Sequence, residues 1–214
     1  MAATTRARRA STAVCAALTV AWAAACGSTP PGPEAYLTTI AAERAAKDEF
    51  LRTAKDSPIL PEQRATFLPL PYFPPDQAWS APASLAQADP SMQPNVEMPT
   101  STGERRSMRR VGVLSFTLQG RQLQLSAFVE AGAPNTDRLF VPFADQTSGK
   151  ETYGPGRYLD LDRTATSIYL VDFNRAYNPY CAYNSKYDCP YPPRENNLPL
   201  AIRAGERAPA VAAH

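Results

Sequence analysis

Two runs of alternating apolar residues that meet at a glycine turn constrain this chain most. In the first, Leu114, Phe116 and Leu118 alternate with Ser115 and Thr117. After Gln119-Gly120 the alternation resumes with Leu123, Leu125 and Ala127. A period of two places each apolar set on one face, and a short turn with Gly folds one run back on the other. Residues 111–130 therefore predict an antiparallel hairpin with one face to bury. A hairpin alone is marginal, so more strands or a helix must cover it. Residues 138–143, after a turn with Gly132, Pro134 and Asn135, supply a third strand. Residues 167–173 supply another, with Ile168, Leu170 and Asp172 on one face, and residues 198–203 close the sheet. No repeated helices separate these strands, which argues against a parallel βαβ fold.

One helix is expected. Residues 36–55 hold no Gly or Pro and are rich in Ala, Glu, Arg and Lys. Leu37, Ile40, Ala41, Ala45 and Leu51 fall along one stripe, with Phe50 beside it. Ser57-Pro58 ends it, because the residue before Pro is pushed out of the helical region. The chain has 22 Pro in 214 residues, about twice the usual ~5%. Pro lacks the N–H that a central strand or helix needs, so loops and edge strands should be plentiful. Residues 58–99 read as Pro-rich and irregular. Within them Phe67, Leu70, Tyr72, Phe73 and Trp79 are expected to strap one end of the core; the alternative is a proline-type ligand segment. The expected fold class is α+β: a mainly antiparallel β sandwich or half-barrel of about six strands, with one N-terminal helix and a long ordered C-terminal loop.

The N-terminus reads as an address. Arg6, Arg8 and Arg9 precede an uncharged run, residues 10–25, that ends in small residues before Cys26. Basic flank, short apolar run and small residues before a cut describe a secretory signal. The run is shorter than the about 20 residues of a membrane-spanning helix. A Cys at the cut resembles a bacterial lipoprotein signal, with Ala23 standing where Leu is preferred. The resemblance implies lipid on Cys26 and a protein anchored to the outer side of the cytoplasmic membrane, or to an outer membrane. Plain cleavage after Ala25 is the alternative. The expected organisation is a signal peptide at 1–25, a lipidated Cys and tether at 26–35, one globular domain at 36–206 and a disordered tail at 207–214.

The single His is His214, the last residue. A Ser-His-Asp or Cys-His site has no credible base there, and a His-rich metal site is excluded. A net charge of +2 is too small to argue for nucleic acid. Arg105, Arg106, Arg109 and Arg110 form a local basic cluster. It suits anionic headgroups or an anionic wall polymer, or else a solvated turn and edge strand, and the second reading is favoured.

Function should be sought in residues 145–196, which hold eight of the ten Tyr. Tyr and Asn together suit recognition of sugars or peptides, since Tyr offers flat apolar area and Asn adaptable hydrogen bonds. The binding candidates are Asp145, Glu151, Arg157, Asp172, Asn174, Tyr177, Asn178, Tyr180 and Glu195. The competing reading is structural bracing of turns and a loop packed down by its own aromatics. Cys181 and Cys189 remain once Cys15 leaves with the signal and Cys26 is lipidated. In an oxidising compartment they form a candidate disulfide. Closing nine residues would contribute roughly 2.5 kcal/mol in the chain-entropy model. Two free or buried thiols are the alternative. No catalytic residue, metal or cofactor is indicated.

Residues 145–158 (DQTSGKETYGPGRY) and 172–184 (DFNRAYNPYCAYN), with the CPYPPREN that follows, resemble the bacterial domain-of-unknown-function family sixteen eighty-four. KDEFLRTAKDSP and LFVPFADQTSG extend the resemblance from about residue 47 to 206. The family implies no activity, cofactor or catalytic residue. Three functions therefore compete: an envelope module that binds a polymer or peptide through the Tyr/Asn loop, a His-independent hydrolase using a carboxylate pair with Arg157, and a structural envelope protein without a ligand.

Overall fold

The structure, a computed structural model, describes Met1 and residues 32–88 and 95–210. Cys26, the signal segment, most of the tether and residues 211–214 lie outside the described residues. The elements are helix α1 (Pro33–Thr53), a one-turn helix α2 (Arg64–Phe67) and seven strands: β1 (Ser80–Gln87), β2 (Val96–Pro99), β3 (Arg105–Leu118), β4 (Arg121–Glu130), β5 (Arg138–Phe143), β6 (Arg157–Asp162) and β7 (Ile168–Asp172). The strands form one antiparallel sheet in the order β6-β5-β4-β3-β1-β7, with β2 paired to β3. The sheet curls until β6 approaches β7, giving a nearly closed barrel.

The expected hairpin is its spine. Leu114 faces Leu125 and Phe116 faces Leu123 across β3 and β4. Both turn residues are left-handed, Gln119 at φ 49 and Gly120 at φ 72, as a two-residue turn matched to strand twist requires. β3 slips register between Arg110 and Gly112. A side chain at Gly112 would lie 2.3 Å from the Ala86 carbonyl oxygen, so only Gly lets β1 close on the bulge.

Three strands were not expected: β1, β6 and the short β2, which pairs with the first part of β3. β1 lies within the stretch read as irregular, yet it is central, between β3 and β7. Ala81, Ala83 and Leu85 alternate inward, but two of the three are too small to signal a strand. β6 buries Arg157, Tyr158, Leu159 and Leu161. Conversely, residues 198–203 form no strand. They run irregularly across the barrel end, held where the Leu198 N–H donates to the Ala144 carbonyl (2.8 Å) and the Gln146 N–H to the Leu200 carbonyl (3.2 Å). The basic cluster sits on β3, where Arg106 and Arg110 pair with Asp188 and Glu195, rather than in a turn before it. On β7 the face of Ile168 and Leu170 is the outer one, half exposed. Asp172, on that same face, is buried beneath α1, whose Tyr36 hydroxyl reaches it.

α1 begins earlier than expected, with Pro33 in its first turn. That position suits Pro, whose missing N–H has no helical partner there, so the end of the tether is helix. Its buried stripe is Tyr36, Ile40 and Leu51, while Leu37 and Phe50 are exposed. Between Ile40 and Leu51 the stripe passes through Arg44, Lys47 and Asp48, which bond the body instead of packing on it. Arg44 donates to the Phe73 carbonyl (2.9 Å), and Asp48 accepts from the Leu70 N–H (3.2 Å). The strap beyond the helix behaves as expected: Phe67 and Leu70 pack with Leu51, Ile59 and Tyr183, and Trp79 packs on the barrel core. Residues 207–210 are not a free tail, because the Arg207 N–H donates to the Pro71 carbonyl (2.9 Å) and the Ala208 N–H to the Glu151 carbonyl (3.0 Å).

Candidate functional site

The polar residues of the central stretch divide into sealed hubs and an open groove. The first hub begins where β5 ends. Asp145 takes the Thr147 N–H (2.7 Å), the Thr147 hydroxyl (2.6 Å) and the Ile202 N–H (3.2 Å) on one carboxylate oxygen. Its other oxygen accepts from Arg157 (2.9 Å). Arg157, the first residue of β6, is 1% exposed. Its guanidinium also donates to the carbonyls of Ile202 (2.9 Å), Glu206 (3.1 Å) and Ala204. A buried charge persists only when paired and hydrogen-bonded; here it ties the C-terminal segment over the barrel mouth. Burial draws the guanidinium pKa downward, and Asp145 opposes that pull. Arg157 is thus unavailable to a substrate, and a hydrolase built on it is ruled out.

Asp172 and Glu206 are the other hubs, and both dock α1. Asp172 accepts from Tyr36 (2.9 Å), Arg175 (2.9 Å) and the backbone and side-chain amides of Asn174 (both 3.0 Å). Glu206 accepts from the Asn178 N–H (2.7 Å), the Tyr183 hydroxyl (2.9 Å) and Lys47. Asn178 itself is 1% exposed, its amide bonded to the Arg207 carbonyl (2.8 Å). Asp145, Arg157, Asp172, Asn174 and Asn178 are therefore braces. Glu151 pairs with Arg203 at the surface, and Glu195 pairs with Arg110 beside a small pit of about 450 Å³. None of these joins the groove.

The groove has a volume of about 1050 Å³ and lies between the outer side of β5–β6, the end of α1 and the loop from residue 177 to 190. Of the predicted candidates it gathers Tyr177 and Tyr180. Phe140, Tyr158 and Tyr177 form an edge-to-face series, with centroids 4.7 and 5.7 Å apart. Tyr180 and Tyr187 form a second pair at 5.3 Å. Strand register puts Phe140 opposite Asp160, and the Tyr177 hydroxyl donates to Asp160 (3.0 Å). Lys47 lies 4.9 Å above the Tyr177 ring while paired to Glu206. Asp160 is solvent-exposed, yet the groove walls displace enough water to raise its carboxyl pKa against the Tyr177 hydrogen bond. Burial, then Asp160, push the Tyr177 phenol upward.

Sequence reasoning missed Lys47, Arg138, Phe140, Tyr158 and Asp160 as groove residues and Glu206 as a hub. The outward alternation of Asp160 and Asp162 along β6 was the available signal for the groove carboxylate. Nothing local marks Lys47 or Glu206, which meet across 159 residues.

Cys181 and Cys189 are buried free thiols in a cluster with Tyr158, and Cys189 is part of the groove lining. The Cys181 N–H donates to the Cys189 sulfur (3.2 Å). The disulfide expected from sequence is not formed in this structure; the sulfurs meet through hydrogen bonds. The Cys189 thiol hydrogen-bonds the Cys181 sulfur and lowers the Cys181 pKa to about 7, since the remaining proton stabilises a neighbouring thiolate. Among the described residues no group of three His, Cys, Asp or Glu is placed to hold a metal ion.

A family described as "protein of unknown function (DUF1684)" matches residues 65–207. The solution NMR structure of an uncharacterized protein of Haloarcula marismortui is 38% identical to the chain, covering 81% of this chain and 95% of that one, with a TM-score of 0.64. No curated protein matches.

Proposed function

The chain belongs to the DUF1684 family, and on that premise we propose that it is an envelope lipoprotein whose groove binds a cell-envelope polymer or peptide. The observation that carries the reading is the groove itself. The Tyr-rich loop is not packed flat but stands as one wall of a cleft of about 1050 Å³. Clefts of that size with aromatic walls and a few placed polar groups are where ligands bind. The basic flank, apolar run and Cys26 support export and lipidation, which would hold the groove close to the membrane surface. Export would also expose Cys181 and Cys189 to thiol–disulfide exchange. Their bridging passes two electrons and two protons to the disulfide of an exported oxidase and staples the groove wall.

Two measurements test this. Mass spectrometry of the mature protein should show lipid on Cys26, and a mass two hydrogens lower before reduction than after. A lipid-free mature N-terminus removes the anchor, and equal masses remove the bridge. Isolated cell envelopes should retain the full chain in detergent, and Tyr180→Ala should reduce retention several-fold. Retention unchanged by that substitution removes the groove as the binding surface.

A further inference from the structure

Resting on the groove reading, we infer that the ligand is an uncharged oligosaccharide, stacked on Tyr180 and hydrogen-bonded by Asp160. Three observations carry this. First, the groove has no net field. Its lining contains Lys47, Arg106, Arg138 and Lys186 against Glu130, Asp137, Asp160 and Asp188. Three of the four cations are already spent: Lys47 on Glu206, Arg106 on Asp188 and Arg138 on Asp162. A site for a polyanion leaves its cations unpaired and aims them at the ligand; this one neutralises them internally.

Second, the apolar surface it offers is aromatic and open. Tyr180 is 39% exposed and Phe50 43%, both at the groove. Tyr180 is held by its edge-to-face contact with Tyr187, so its ring is pre-positioned and little rotamer freedom remains to be lost on binding. A flat ring with a polar tip matches the C–H face of a sugar, whose rim carries hydroxyls.

Third, Asp160 is a carboxylate with spare capacity. One oxygen accepts from Tyr177, and the other has no protein donor among the described residues. An ionised carboxylate accepts through about four lone-pair sites. Facing a groove partly emptied of water, it is a strong acceptor for one or two ligand hydroxyls. The volume holds more than one sugar ring, so a chain end or a short internal stretch fits.

The test uses the full chain in detergent and calorimetric titration with four probes: chitotetraose, cellotetraose, polygalacturonate as an acidic glycan, and tetra-alanine as a peptide. Binding of at least one neutral tetrasaccharide is expected. Its affinity should change less than about twofold between 0.05 and 0.5 M salt, because no counterions are released. Tyr180→Ala and Asp160→Asn should each weaken it tenfold or more, with far-UV circular dichroism unchanged. Both side chains are exposed, so neither substitution removes core packing. Binding of the acidic glycan alone, with steep salt dependence, overturns the inference. So does binding of the peptide alone, which leaves the groove reading standing. If none of the four binds up to 5 mM, in protein whose spectrum is intact, both the inference and the groove reading fall.

Discussion

The Asp145–Arg157 hub and the Asp160 groove are built from the same materials on the two sides of one strand. β6 begins with Arg157 pointing into the barrel mouth and continues to Asp160 on its outer face. Inside, every oxygen of Asp145 is spoken for and Arg157 is 1% exposed. Outside, Asp160 has one phenol for company. The inner pair can only hold the fold, since an occupied, dehydrated charge has nothing to offer a ligand. The outer carboxylate does little for the fold and is free to bind. Polar density in the sequence marks both alike; solvent access separates them.

The largest expected effect follows from breaking the sealed side. Arg157→Met should leave the Asp145 carboxylate buried without its counter-charge and free the carbonyls of Ile202, Ala204 and Glu206. Removing one partner of a buried pair costs about 3–5 kcal/mol. Urea unfolding should show that loss in midpoint at unchanged slope. A loss under 1 kcal/mol would mean that the hub is not the clamp described. Gly205 tests the same clamp from the backbone. It has φ 74, and a side chain there would lie 2.5 Å from the Ala176 carbonyl oxygen, so Gly205→Ala should destabilise by more than the ordinary about 1 kcal/mol of a point change.

Next comes the docking of α1. Glu206→Gln keeps the shape but discards the charge that Lys47, Tyr183 and the Asn178 N–H converge on. Hydrogen bonds to a charged group contribute about 1.5–3 kcal/mol. Lys47 is partly exposed, so the lower half of that range is expected. Hydrogen exchange should quicken in α1 before it does in β3 and β4. Equal acceleration throughout would show that the helix and barrel open as one unit.

These effects explain what was legible and what was not. The β3–β4 hairpin was readable because large apolar residues alternate with polar ones, and β5 (RLFVPF) and β7 (IYLVD) because they are short apolar runs. β1 alternates too, but with Ala81 and Ala83 its signal is faint, and Pro82 argued against a central strand. α1 was readable as a helix, yet its inner stripe was misassigned because Arg44, Lys47 and Asp48 hold it to the body through polar ends. Residues 198–203 looked like a strand because Leu198, Leu200 and Ile202 alternate; their carbonyls instead serve Arg157 and Gln146. Tyr177 and Tyr180 could be picked from the sequence as aromatic and polar neighbours. Arg138 and Lys47 could not, because strand register and helix docking bring them there from distant positions; Asp160 had only the outward alternation with Asp162 to mark it, on a strand that was not expected.

The thiol pair sits between the two regimes, buried like the hub but against the groove wall. While reduced, it should react with iodoacetamide along a pH profile centred near 7, the value to which the Cys189 hydrogen bond lowers Cys181. Cys189→Ala should move that midpoint upward, since no side-chain donor at that position remains for the thiolate. A wild-type midpoint near the ordinary thiol value of about 8.5 would show that the sulfurs do not share the proton.

The smallest effect has the opposite sign, and that sign is the sharpest test of the contrast. The folded-state pKa of Asp160 is raised, chiefly by burial. A carboxylate raised in the fold binds more protons folded than unfolded, so its ionisation lowers stability as pH climbs through the window above the ordinary value of about 3.9. Below that value both states are protonated and the penalty is gone. Asp160→Asn removes the ionisation while keeping an oxygen for Tyr177 to donate to. The substituted protein should therefore melt slightly higher than the wild type at pH 7, with the difference shrinking to nothing near pH 3. Glu206→Gln, which removes a charge that three donors converge on, should instead lower the melting temperature at pH 7. Were Asp160→Asn to lower the melting temperature at pH 7 as well, Asp160 would belong with the braces, and the groove would lose the carboxylate proposed to meet its ligand.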